Sequence, residues 1–255
     1  MDTGTSQRNV LNGRTVAVAI VALAVFAAWW THGRAGPAGS VSPSQRAQPL
    51  VPSGRVGEFS FLALGDSYTI GQGIAAVDRW PMQAAAVRAA GVDLADPAIL
   101  AHSGWSTGDL LRAMDAAQLA SHYDCVTLMI GVNNQYQRRP VEEYRQQFQT
   151  LLDRATRLAG GNAQRVVVLS IPDWSVANGM SGGHAGGGSP DIDRFNAACH
   201  DLTKRAGAAW VDVTPISRDA AGDEAMFAAD RLQPSAKQYA LWTTPAAAAI
   251  AASLK

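Results

Sequence analysis

Residues 61–74 read FLALGDSYTIGQGI: an apolar run of strand length, then a turn of small residues holding Ser67, with glycines at 65, 71 and 73. A continuous apolar run without alternation suits a strand buried on both faces, as in a parallel sheet. The glycines let the backbone turn sharply beside the serine. A serine at a strand-to-helix turn can expose its hydroxyl, and its own amide can help bind an oxyanion. GDS is also an ordinary turn tripeptide, so the weight of the reading lies in what surrounds it.

Working outward, apolar runs alternate with longer amphipathic stretches. LADPAIL precedes TGDLLRAMDAAQLA, and CVTLMI precedes VEEYRQQFQTLLDRATRLA, where Val141, Tyr144, Phe148, Leu151 and Leu152 recur on one helical face. RVVVLSI leads to DIDRFNAACHDLTKRA, AAWVDV leads to a last helix after Pro234, and a helical run is expected from Trp80 to Ala90. Strand-length Val/Ile/Leu runs, each followed by a helix, predict a three-layer α/β/α sandwich of about five parallel strands. Ligands of such sheets bind outside the carboxyl ends of the strands, so the polar residues just after each run matter most.

Three such positions fit one chemistry. Ser67 follows the first strand, Gly104 in HSGWST leaves a backbone amide uncovered after the second, and Asn133 in IGVNNQ offers a carboxamide after the third. Singly, each is an unremarkable loop residue. Together they make a nucleophile with three donors for a developing oxyanion.

The four stretches ALGDSYTIGQG (63–73), SGWST (103–107), IGVNN (130–134) and ADRLQPSAKQYALW (229–242) resemble, in order and spacing, the blocks of the GDSL, or SGNH, hydrolase superfamily of esterases and lipases. The resemblance spans roughly residues 59–250 and implies a flavodoxin-like SGNH hydrolase fold. It also implies Ser67 as nucleophile, Ser67, Gly104 and Asn133 as the oxyanion hole, and Asp230 as the acid that orients a base. IPDW at 171–174 is similar to a run in bacterial members. In two places the chain departs from the family pattern. Asn134 stands where Asp is common, and Gln233 stands where the fourth block carries the catalytic histidine.

In the family mechanism the imidazole takes the serine proton and returns it to the leaving alcohol. A glutamine can accept a hydrogen bond from Ser67 through its oxygen and donate one to Asp230 through its nitrogen, but it cannot hold the proton near neutral pH. Of the five histidines, His32, His122 and His200 read as surface or packing residues, and His102 precedes the oxyanion glycine. His184, in the glycine-rich loop NGMSGGHAGGGSPD, is the candidate substitute base. Two function classes follow from the resemblance: a serine esterase acting on short acyl or acetyl esters of sugars or lipids, and an inactive binding protein for acylated glycans or lipids. Trp105 and Trp174 are candidates to line an acyl pocket.

Composition narrows the rest. Lysine plus arginine equals aspartate plus glutamate at 21 each, with no long basic run, which argues against a nucleic-acid partner. Cys125 and Cys199 cannot frame a disulfide scaffold and read as core. No metal-ligand spacing is visible, and the family mechanism requires no cofactor. Residues 16–30, VAVAIVALAVFAAWW, follow Arg8 and Arg14 and form an uncharged apolar segment. As a helix it rises about 22 Å at 1.5 Å per residue, short for a spanning helix and right for a signal segment. The expected organisation is a cytoplasmic N-terminus (1–14), a signal anchor or cleaved signal peptide (15–31), a Gly/Pro/Ser-rich tether (32–57) and the hydrolase domain (58–255). Either way, the domain lies outside the cytoplasm, membrane-bound or secreted.

Overall fold

The computed structural model describes residues 57–86, 91–177 and 190–255. Apart from Gly57, the three expected N-terminal segments lie outside these residues, as does His184. Among the described residues, no helix is long and apolar enough to cross a membrane.

Five strands form one sheet: β1 (Phe61–Gly65), β2 (Ala98–Ala101), β3 (Cys125–Met129), β4 (Val166–Leu169) and β5 (Ala209–Val211). All are parallel, in the order β2-β1-β3-β4-β5. This is the flavodoxin-like order, whose direction of winding reverses between β1 and β3. β1, β3 and β4 are buried along their whole length, as their unbroken apolar runs predict. Pro97 has no amide hydrogen to give a ladder, and β2 begins only after it.

Eight helices are described: α1 (Ser67–Ile70), α2 (Trp80–Ala86), α3 (Thr107–Ala116), α4 (Val132–Tyr136), α5 (Val141–Leu158), α6 (Pro190–Ala206), α7 (Thr214–Asp219) and α8 (Ala236–Ser253). α5 packs between α3 and α6 on one side of the sheet, and α2 packs on α8 on the other. Tyr144, Phe148, Leu151 and Leu152 are fully buried, so the predicted stripe of α5 is its core face. Helix α3 begins with a capping box in which Ser106 and Asp109 satisfy each other's amides. It ends at Ala116, short of the predicted Ala120, whose amide is taken by the Tyr123 hydroxyl at 3.2 Å. Cys125 and Cys199 are both buried free thiols, each pushed up to about 12 by burial, and so are inert packing residues.

Two glycines fix the carboxyl edge of the sheet. A Cβ on Gly65 would stand 2.6 Å from the Met129 carbonyl oxygen, so β1 approaches β3 this closely only without a side chain. Gly131 has φ +134°, and a Cβ there would meet the Tyr144 ring at 2.6 Å and Ile171 Cδ1 at 2.7 Å. Gly131→Ala overpacks that contact in a backbone region unfavourable to alanine. It should cost about 1–3 kcal/mol of stability, read as a lower urea midpoint at unchanged slope.

Asp66 caps α1, accepting from the Tyr68 amide at 3.0 Å while only 1% exposed. Burial lifts its carboxyl to about 7, against the opposing effect of amide bonds from Tyr68, Gly131 and its own residue. Because the folded value lies above the unfolded one near 4, this group's contribution is full below about pH 4 and is lost as pH rises through about 7. Asp66→Asn keeps the accepting oxygen without the charge. Urea midpoints between pH 4.5 and 8 should therefore fall less steeply in the variant than in the parent, and equal slopes would rule out Asp66 as the titrating group.

Candidate active site

Strand β1 delivers the chain into a turn whose next residue begins a helix. Ser67 is the first residue of α1, so its backbone N–H has no carbonyl a turn behind it to accept it. The side chain is buried to 2% exposure at the bottom of the crevice where the sheet changes winding direction.

The turns after β2 and β3 close on the same point. Gly104 has φ +81° in a turn fastened by the Trp105 amide on the His102 carbonyl at 3.3 Å. Asn133, 4% exposed on α4, donates from Nδ2 to the Trp105 carbonyl at 2.9 Å, which commits one amide hydrogen and leaves the second. Ser103 donates to Gln72 Oε1, joining the Gly104 turn to the loop after Ser67.

Asn134 explains itself in the structure. Fully buried, it accepts from the Thr107 amide at 2.9 Å and donates from Nδ2 to Thr107 Oγ1 at 2.7 Å. Thr107 Oγ1 in turn donates to Gln147 on α5. A carboxylate could accept from Thr107 but could not donate to it, so the amide suits this hydroxyl as the structure orients it.

Gln233 sits beside Ser67, 4% exposed, with Nε2 3.4 Å from Ser67 Oγ. The expected orientation, with oxygen to Ser67 and nitrogen to Asp230, is not the one adopted. Gln233 Oε1 is buried without a hydrogen-bond partner, and Asp230 Oδ1 accepts the backbone amides of Leu232 and Gln233 at 2.9 Å each. The reason is local: with Arg231 at φ +58°, residues 230–233 form a tight turn that Asp230 caps from its exposed outer side. At 3.4 Å the Gln233–Ser67 contact is long for a hydrogen bond. Turned end for end, the carboxamide would accept from Ser67 instead, and in neither orientation is it a base.

An open cleft of about 300 Å³ surrounds these groups, and Tyr68, Val132, Tyr136, Trp174 and Leu232 line it together with Ser67, Asn133 and Gln233. Sequence reading missed Tyr68, Val132, Tyr136 and Leu232. Three of these adjoin a singled-out residue in the chain, and Tyr136 lies one helical turn beyond Asn133. Trp174 is placed in the wall as expected, whereas Trp105 is not a lining residue: its ring stacks on His102 at 5.5 Å and its carbonyl holds Asn133. The His102 ring is exposed and engages the Ser103 carbonyl at 2.8 Å. His122 pairs with Asp124 at 3.5 Å, and His200 packs on Trp210. No described histidine lines the cleft, and among the described residues no three His, Cys, Asp or Glu side chains could hold a metal ion.

Comparison with known proteins agrees with this fold. The lipase/acylhydrolase from Enterococcus faecalis is similar in fold, with TM-score 0.59 and 18% identity over 74% of this chain and 93% of its own. Esterase EstA from Pseudoalteromonas sp., solved inhibited by monoethylphosphonate, gives 0.55 and 18% over 74% and 94%. An acetyl xylan esterase variant from Geobacillus stearothermophilus gives 0.56 and 16% over 76% and 94%. No curated protein matches the chain. Residues 63–241, well over half of the sequence, match the GDSL-like Lipase/Acylhydrolase family. With its five-stranded parallel sheet and this match, the chain belongs to the GDSL-like lipase/acylhydrolase family.

Proposed function

We propose that this chain is an exported or membrane-tethered serine esterase acting on short acyl or acetyl esters of sugars or lipids. The observation that carries the reading is that Ser67 and Asn133 line one cleft, with Asn133 tied through the Trp105 carbonyl to the turn that holds Gly104. Ser67 Oγ attacks the ester carbonyl, and the oxyanion is held by the Ser67 and Gly104 amides and the second Asn133 amide hydrogen. The tetrahedral adduct expels the alcohol to leave an acyl-serine, which water then cleaves. Export and tethering rest on the apolar segment 16–30 behind Arg8 and Arg14.

Gln233 sets the rate. Neither its nitrogen nor its oxygen takes the Ser67 proton near neutral pH, so attack proceeds with water as acceptor unless His184 serves as base. Loss of the base in a serine hydrolase costs on the order of 10⁶ in turnover, while the oxyanion hole and binding retain about 10³–10⁴ over water. The same observation favours a second reading, an inactive binding protein for acylated glycans or lipids. There the Gln233 amide holds the Ser67 hydroxyl as a fixed polar floor.

Hydrolysis of p-nitrophenyl acetate by the full chain, by Gln233→His and by Ser67→Ala as blank separates the readings. Gln233→His should exceed the unaltered chain by about 10² or more, since a positioned general base contributes about 10²–10⁴. An unaltered chain already near that level, and abolished by His184→Ala, would assign the base to His184. Folded proteins all at the level of the blank, with the ester still raising the melting temperature, would establish the binding protein.

A further inference from the structure

Trp174 is held by more contacts than a packing residue needs. Its indole Nε1 donates to Gln135 Oε1 at 2.8 Å, and its ring meets Tyr136 edge-on at 5.4 Å. The residue before it, Asp173, is fully buried and accepts from the Ser175 amide and hydroxyl, which shapes the turn Trp174–Val176. Arg218 pins the other oxygen of Asp173 at 2.9 Å while reaching Asp193 on α6 at 2.8 Å. A buried carboxylate held this way makes the wall rigid rather than adaptable, because releasing Arg218 or the Ser175 donors would leave a desolvated charge on Asp173 without its partners.

The chemistry of acyl transfer says what that wall faces. The leaving alcohol must receive a proton, so it lies toward position 233, with Leu232 beside it. The oxyanion lies toward Gly104 and Asn133. The direction left for the acyl chain from Ser67 is the one bounded by Val132, Tyr136 and Trp174.

Resting on the esterase reading, we propose that Trp174, clamped by Gln135, is the specificity-determining residue that ends the acyl pocket and restricts the site to short acyl groups, acetyl to butyryl. The test compares the full chain carrying Gln233→His with the same chain carrying Trp174→Ala, Trp174→Phe or Gln135→Ala in addition. The readout is kcat/KM for p-nitrophenyl acetate, butyrate and octanoate. Trp174→Ala should raise the octanoate-to-acetate ratio by about tenfold or more, the scale on which hydrophobic pockets discriminate chain length. Trp174→Phe and Gln135→Ala should move it partway, and they serve if the alanine variant does not fold. Acetate hydrolysis that persists with an unmoved ratio overturns the proposal while leaving the esterase reading intact. If no variant hydrolyses any ester, the esterase reading fails separately, and the acyl wall is read by binding to chains that retain Gln233. Methyl-, butyl- and octylboronic acid should then bind the unaltered chain in order of shortness, and Trp174→Ala should reverse that order. An order unchanged by the substitution, or no binding by any of them, overturns it.

Discussion

Everything at this site depends on how closely β1 runs beside β3 at its carboxyl end. Gly65 has no side chain to hold the Met129 carbonyl away, so the two strands stay paired to the last residue and β1 can end only by turning sharply out of the sheet. Asp66 then caps the helix that starts at Ser67, and the nucleophile is delivered at a fixed height above the sheet. The neighbouring turns are tied to that frame by side-chain amides, Asn133 to the Trp105 carbonyl and Asn134 to Thr107. The turns that carry Gly104 and Asn133 are therefore held in the same frame that positions Ser67. Such preorganisation is the largest single source of stabilisation in acyl transfer.

Position 233 separates shape from chemistry. A glutamine fills the place of an imidazole beside Ser67 and keeps a polar atom within 3.4 Å of its oxygen. What it does not keep is a lone pair that binds a proton near neutral pH. The acids nearby are engaged elsewhere. Asp66 caps α1, Asp173 shapes the Trp174 turn and Asp230 caps the turn that carries Gln233. The described residues lining the cleft therefore offer nothing that removes the Ser67 proton efficiently near neutral pH.

Trp174 shows where the fold invests outside the reacting atoms. A buried aspartate, an arginine bridging two elements and a glutamine on α4 all act on one indole. Such an arrangement sets the size of a ligand rather than the rate of its reaction, because none of these groups reaches Ser67.

The sequence by itself determined the sheet class and the place of Ser67, Gly104 and Asn133 in the turns after the first three strands, because each depends on local pattern: unbroken apolar runs, turn glycines and polar residues at strand ends. It also determined that position 233 carries no base, which is a matter of side-chain chemistry alone. Only the tertiary structure decided that the Gln233 carboxamide lies beside Ser67 while Asp230 Oδ1 is taken by backbone amides, the latter following from the αL turn at Arg231. It alone decided that Asn134 is a clamp on Thr107 and that Tyr136, Trp174 and Leu232 share one wall. Those contacts join residues 27 to 96 positions apart (Thr107 to Asn134, Tyr136 to Leu232), and their distances are set by how helices seat on the sheet, which no local pattern encodes.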